Sequence, residues 1–291
     1  DEAALNDLVN DGHIAGAALD VFAEEPAKEN VVFGNEKIVC TPHLGASTAE
    51  AQENVAVQVA EQISDYLLSG TITNALNVAS VSAEDAAKLN PYLELGEKLG
   101  QLAGQILNKG VSKIHVEYFG SAAELNVKPV TNIAVKGLLQ NFIETANMVN
   151  ASSIAKEREI EVVQSKYDEK KSNYSTLLKV TVTAGGEDIT IQGTLFNNEP
   201  RIIKVDEVYL EASLDGNMLY IENEDKPGLI GDLGKLLGDE AINIGNFHLG
   251  RQENKKGEAI ALVAVDSEVS EEMLAKISEL PSVIRVKLLR F

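Results

Sequence analysis

The sequence predicts an α/β protein in three parts: the end of a parallel-sheet domain, an α+β middle domain and a terminal βαββαβ module of ferredoxin-like order. Three observations predict it. IAGAALDVF (14–22) and KIVCTPH (37–43) are short, nearly continuous apolar runs that end on polar residues, as strands buried on both faces of a parallel sheet do. LLKVTVTAGGEDITIQGTLF (177–196) is two β-rich runs around a Gly-Gly pair, a hairpin signal. From residue 215 onward, runs of strand and helix period follow in the order strand, helix, strand, strand, helix, strand.

With 291 residues, the chain is long enough for two or three domains at about 100–200 residues each. Acids exceed bases by enough to give a net charge of −20, which argues against a nucleic-acid footprint or docking on an anionic membrane. The single cysteine, Cys40, excludes an intrachain disulfide and a cysteine zinc cluster, so no metal site is expected and a reducing cytoplasm fits best. Cys40 itself lies in an apolar run and reads as a buried, inert thiol.

Element by element, EAALNDLVN (2–10) has helical spacing, which Gly12 breaks. Ser47 to Glu50 reads as a capping box with the Ser47 hydroxyl on the Glu50 amide, opening a helix whose Val55, Val59, Ile63 and Leu67 form one apolar face for packing. Residues 70–90 lack periodicity, so a boundary is placed near residue 76. A helix follows from Pro91 to Leu107, then an alternating strand at 112–119 and a helix over about 131–146. The mixed-charge run from Lys156 to Lys171 reads as a solvated helix face and turn. After the hairpin come short strands at about 201–205 and 208–212. In the terminal module, Pro227 suits a first helical turn and Lys255-Lys256-Gly257 a central hairpin turn.

The first constellation of chemical interest is Asp20-Val21-Phe22, then Glu25-Pro26, then His43 in TPHLGAST, 17 residues after that proline. Read alone, a histidine after Thr-Pro is a structural or surface residue, Asp20 a strand-end turn former and Glu25 a solvated acid. Taken together, LDVF, EEP and TPHLGAST in this order resemble the D-isomer-specific 2-hydroxyacid dehydrogenases. HLGAST followed by EAQENVA resembles the D-3-phosphoglycerate dehydrogenases within that family. GEDITIQGTLF looks like their intervening domain, and NEDKPGLIG with AINIGNF resembles the ACT regulatory domain.

That resemblance implies a division into the C-terminal part of a Rossmann-like NAD-binding and catalytic domain (1–75), an intervening α+β domain of allosteric substrate-binding type (76–212) and an ACT domain (215–291). It implies NAD-dependent oxidation of 3-phospho-D-glycerate to 3-phosphohydroxypyruvate, the entry to serine biosynthesis, in a homo-oligomer with ACT–ACT dimer contacts. His43 and Glu25 become the catalytic pair. The chemistry agrees: the His43 imidazole can both accept and return a proton, and a carboxylate fixes the tautomer of its ring. Asp20 with His43, Leu44, Gly45 and Ala46 would line the nicotinamide end of the cofactor. Asn223, Asp225 and Asn243 would hold an amino-acid effector, L-serine being the first candidate, although Asn and Asp are also ordinary turn formers. Arg201 and Lys204 are two cations able to hold a phosphate.

The family's G-x-G-x-x-G fingerprint, its ribose-holding acid and its catalytic arginine lie upstream of the stretch that matches here. None occurs in residues 1–291. The chain is therefore expected to be the C-terminal part of a longer enzyme and to show no turnover by itself. Two other readings stand beside this one: a non-catalytic amino-acid-sensing ACT module, and a dehydrogenase for another 2-hydroxy acid.

Overall fold

The computed structural model describes residues 1–69, 72–75, 83–167, 174–252 and 257–291. The chain divides into two compact units, Asp1–Ile72 and Thr73–Phe291. The boundary expected near residue 76, and Lys255 and Lys256 of the expected hairpin turn, lie outside the described residues.

In the first unit, α1 (Glu2–Asn10) is capped by the Asp1 carboxylate, which accepts from the Ala4 amide at 3.0 Å. Its Val9 packs with Phe22, Val32 and Ile38. The apolar runs supply β1 (Ala17–Leu19) and β2 (Ile38–Cys40), which pair in parallel with Ala17 opposite Ile38 and Leu19 opposite Cys40. Within residues 1–72 only one face of this pair is covered. Ile38 is buried in the cluster around Val9, while Val39, pointing the other way, is 63% exposed.

Helix α2 (Ala49–Ser69) begins one residue later than the capping box placed it, because the Thr48 hydroxyl, rather than that of Ser47, accepts from an amide, that of Ala51 at 3.1 Å. Its apolar face forms, and among the described residues of 1–291 nothing covers it: Val55, Val59, Ile63 and Leu67 are all exposed.

The second unit opens with α3 (Ala83–Ile106), which starts earlier than the periodicity suggested and carries Pro91 inside it. Next come β3 (Val111–Gly120), α4 (Lys128–Gln140) and α5 (Ala151–Glu157). Then β4 (Glu161–Tyr167), β5 (Thr176–Ala184), β6 (Glu187–Phe196), β7 (Glu199–Val205) and β8 (Val208–Ala212) complete a six-stranded sheet. The run expected to be a solvated helix face holds β4 instead. Val162, Val163 and Tyr167 give it strand character, and it pairs in parallel with β3. The strand order is β4-β3-β5-β6-β7-β8, antiparallel apart from that pair. Gly185 and Gly186, at φ of 59° and 82°, make the β5–β6 turn, a left-handed pair that favours glycine.

Helices α3 and α4 share one core with the sheet. Leu95, Leu99, Leu102 and Leu138 lie in it with Ile114, Val116, Val180 and Ile191. The helices approach closely because Gly96, Gly100 and Gly104 recur every fourth residue along α3 and α4 offers Gly137. A Cβ on Gly100 would stand 2.1 Å from the Ala134 carbonyl oxygen.

The terminal module comprises β9 (Asn217–Glu224), α6 (Leu229–Asp239), β10 (Ile244–Arg251), β11 (Glu258–Val265), α7 (Glu271–Ser278) and β12 (Val283–Arg290). The sheet order is β10-β11-β9-β12, so the βαββαβ expectation holds. Pro227 sits before the helix rather than in its first turn, since Gly228 is the N-cap residue. Leu219, Ile221, Ala261 and Val263 face Leu233, Leu237, Met273 and Ile277 of the helices. Met218, Tyr220, Leu262 and Leu289, on the opposite face, join the core that holds α3.

β12 also caps α3. Arg285 Nη1 donates to the Ile106 carbonyl at 2.9 Å, and Lys287 Nζ to those of Gln105 at 2.8 Å and Leu107 at 3.1 Å. Two cations thus meet orphan carbonyls at the negative end of the helix dipole.

Candidate active site

The two short strands place the site. Past their ends the chains stay paired, the Thr41 amide donating to the Leu19 carbonyl and the His43 amide to that of Asp20, both at 2.9 Å. The Asp20 carboxylate then gathers the loop. Its Oδ1 accepts from the Thr41 hydroxyl and, at 2.7 Å, from the Leu44 amide; Oδ2 accepts from the Gly45 amide at 2.7 Å. These bonds, the Thr41 hydroxyl first, hold the Asp20 carboxyl below the ordinary aspartate range. A Cβ on Gly45 would lie 3.3 Å from Oδ2, so the carboxylate would have to give by a few tenths of an ångström. His43 takes a left-handed backbone at φ 54°, which turns the residue out of the strand line.

His43 Nδ1 stands 2.6 Å from Glu25 Oε2. Glu25 is itself oriented, because its Oε1 accepts from the Phe22 amide at 3.1 Å. The hydrogen bond from His43, followed by that from Phe22, lowers the Glu25 carboxyl below the ordinary glutamate range. An Nδ1–H donating to the carboxylate leaves Nε2 as the ring's free acceptor, ready to take or return a proton. The pair stands at a cavity of about 570 Å³ lined in part by Phe22, Pro26, Phe33 and Thr41. That is the size of a small-molecule site.

The sequence order thus locates Asp20, Glu25, His43, Leu44 and Gly45 in one cluster. Leu44 donates its amide to Asp20 and accepts with its carbonyl from the Ser47 amide at 2.8 Å, so its exposed side chain is the part left for a ligand. Ala46 follows on the same loop and is exposed. Cys40 is half-buried and lines the cavity, rather than being sealed in a strand, because β2 ends at this residue. Thr41 and Phe33 were not singled out as site residues. The Thr41 signal is its place between the strand end and His43; Phe33, stacked edge-on to Phe22 at 5.3 Å, carries none.

The candidate effector residues are not gathered in one chain. Asn223 is 2% exposed, with Nδ2 donating to the Glu224 carbonyl at 2.8 Å and, among the described residues, no partner for Oδ1. Asp225 pairs with Arg251 at 3.1 Å. Asn243 Nδ2 donates to Asp266 at 2.6 Å. In register, Asn223 and Arg251 both oppose Ala259, whereas Ile244 and Asn217 both oppose Val265. Asn223 and Asn243 therefore sit at opposite ends of the sheet, roughly 20 Å apart at about 3.3 Å per residue. Arg201 and Lys204 are engaged by Glu199 at 3.0 Å and Glu207 at 3.1 Å.

Three regions of the chain match known families. Residues 1–45 match the NAD binding domain of D-isomer specific 2-hydroxyacid dehydrogenases, 88–206 the D-3-phosphoglycerate dehydrogenase intervening domain, and 217–282 the ACT domain. Among curated proteins, D-3-phosphoglycerate dehydrogenase of Bacillus subtilis is 34% identical over 291 residues, covering 99% of this chain and 55% of that protein. The protein of the same name from Methanocaldococcus jannaschii is 37% identical, covering 97% of this chain and 54% of its own length. That from Synechocystis is 39% identical, with 97% and 51% covered. The chain spans about half the length of the curated relatives it matches. Three family regions in one order, with relatives of one name along nearly the whole sequence, agree on what the chain resembles: a C-terminal stretch of the D-3-phosphoglycerate dehydrogenases of the D-isomer-specific 2-hydroxyacid dehydrogenase family.

Proposed function

We propose that the protein carrying this chain oxidises 3-phospho-D-glycerate to 3-phosphohydroxypyruvate with NAD, the first step of L-serine biosynthesis, in the cytoplasm. We divide the chain as 1–75, 76–212 and 215–291, the catalytic-domain end, the intervening domain and the ACT domain. The observation that carries the reading is the 2.6 Å contact of Glu25 with His43 beside a cavity of substrate size. His43 Nε2 takes the proton of the C2 hydroxyl as the hydride leaves C2, and returns it in the reverse direction. Glu25 is the positioning residue: it orients the ring and stabilises the imidazolium that forms. NAD, when bound, supplies the hydride acceptor. The residues fit its nicotinamide end, since Asp20 holds the 41–45 loop closed and Gly45 adds no side chain against that carboxylate. An assembled pair beside a cavity favours an enzyme over a sensing module alone.

The pair has a titration signature. Because the folded Glu25 pKa is depressed, the ionised carboxylate and its bond to His43 persist below the ordinary glutamate value of about 4.3 and are lost only as pH falls through the lower folded value. Carboxyl carbon NMR of the chain is expected to show the Glu25 midpoint below that value and to show it rising in His43→Ala. A midpoint equal in both would mean that His43 is not the partner.

We further propose that the ACT domain binds L-serine between two copies of the chain. Asn223 with Asp225 and Asn243 lie at opposite ends of one sheet, so a second copy is what can bring them to one ligand. Their short polar side chains offer donors and acceptors for an ammonium and a carboxylate. Calorimetry is expected to show heat of binding at millimolar L-serine, and its loss in Asn243→Ala. Absence of heat from the unmutated chain, or equal heat from both, would remove this site.

A further inference from the structure

Where α3 ends, β3 begins and α4 gives way to its following turn, the second unit holds another cavity, of about 580 Å³. Val111, Leu139, Phe142 and Ile143 give it an apolar wall, and Phe142 is left 48% exposed. Lys109 and Arg158 also line it. The two cations differ. Lys109 is neutralised by Glu187 at 2.7 Å, whereas Arg158, just past α5, has no counter-ion among the described residues.

In a chain of net charge −20, a guanidinium left free beside an apolar wall is a specific combination. An exposed aromatic ring gains by being covered, and the guanidinium gains from a carboxylate or sulfonate in its fork geometry. The rim is also fixed in advance. Lys287 of β12 donates to the Leu107 carbonyl at 3.1 Å and to Asn108 Oδ1, so the loop that leads into Lys109 is held in place by the neighbouring sheet.

We propose that this cavity binds a small amphiphilic anion, with its apolar group against Phe142 and Leu139 and its carboxylate or sulfonate on Arg158. A bare inorganic anion satisfies only half of the site. The volume lies within the range of small-molecule pockets, about 300–1,000 Å³. The site is distinct from the His43 cavity and from the candidate effector residues of the ACT domain, which involve none of these side chains.

Fluorescence titration of the full chain with 8-anilinonaphthalene-1-sulfonate tests it. The expected result is a saturable component that weakens by about tenfold or more in Arg158→Gln, the scale of a lost charge-assisted hydrogen bond, and is unchanged in Lys156→Gln, an exposed cation on α5 outside the cavity. Arg158 is exposed, so its replacement leaves the fold intact, which circular dichroism verifies. Octanoate is expected to displace the probe at concentrations where inorganic phosphate does not. Identical titrations of Arg158→Gln and the native chain would overturn the proposal, as would displacement by phosphate as effective as by octanoate.

Discussion

Replacing His43 by alanine is expected to lower kcat for 3-phosphoglycerate oxidation by about 10²–10⁴-fold, the range for a lost general acid/base, in the protein that carries this chain. KM should change far less, because the ring acts on the proton in flight. The backbone at His43 is left-handed, which alanine tolerates less well than asparagine does. His43→Asn is therefore the companion variant: it keeps a residue suited to that conformation and removes the titrating ring. Both variants should fall by similar factors. Activity retained in His43→Asn and lost in His43→Ala would assign the effect to loop geometry and remove His43 from proton transfer.

A second large effect is structural. Gly100→Ala places a methyl 2.1 Å from the Ala134 carbonyl oxygen and 3.0 Å from the Leu138 amide nitrogen, both backbone atoms of α4 that cannot rotate away. The helices must separate, and the core of Leu99, Leu102 and Leu138 loosens with them. Overpacking typically costs about 1–3 kcal/mol, and a backbone clash belongs at the upper end. At roughly 2–4 °C per kcal/mol for a domain of this size, Tm should fall by about 6–12 °C. Gly231→Ala on α6 is the contrast. Nothing lies within 4 Å of its added methyl, and removing a helical glycine should stabilise by about 0.4–1 kcal/mol. Equal Tm changes in the two variants would contradict the close α3–α4 seam.

The candidate cluster was legible because LDVF, EEP and TPHLGAST resemble one family in order and spacing, with Asp20 and His43 just past the ends of apolar runs. Asp20 follows β1, and Thr41 to Gly45 follow β2, so a parallel pairing of two three-residue strands suffices to bring them together. The loop's internal wiring was not legible. Nothing in the sequence says that the Asp20 carboxylate closes on Thr41, Leu44 and Gly45, since an aspartate at a strand end forms many kinds of turn.

In the fold, the βαββαβ order read correctly because each element keeps one clean period. Helix α3 was read short. Pro91 looked like a start, yet helix already precedes it from Ala83. β4 was missed because the mixed charges of Glu161 and Lys166 masked its short strand character, and its parallel pairing with β3 is non-local. The candidate effector residues show the opposite limit. Each lies at a strand end, as expected, but local sequence says nothing of which end of the sheet it occupies.

The most direct test of the account is NADH formation by the protein carrying this chain, measured with 3-phosphoglycerate, D-glycerate and D-lactate side by side. The expected result is formation of NADH with 3-phosphoglycerate, at a kcat/KM well above that for the other two acids, and its loss in His43→Ala. NADH formation that favours another 2-hydroxy acid, or that proceeds with 3-phosphoglycerate equally well without His43, would contradict it.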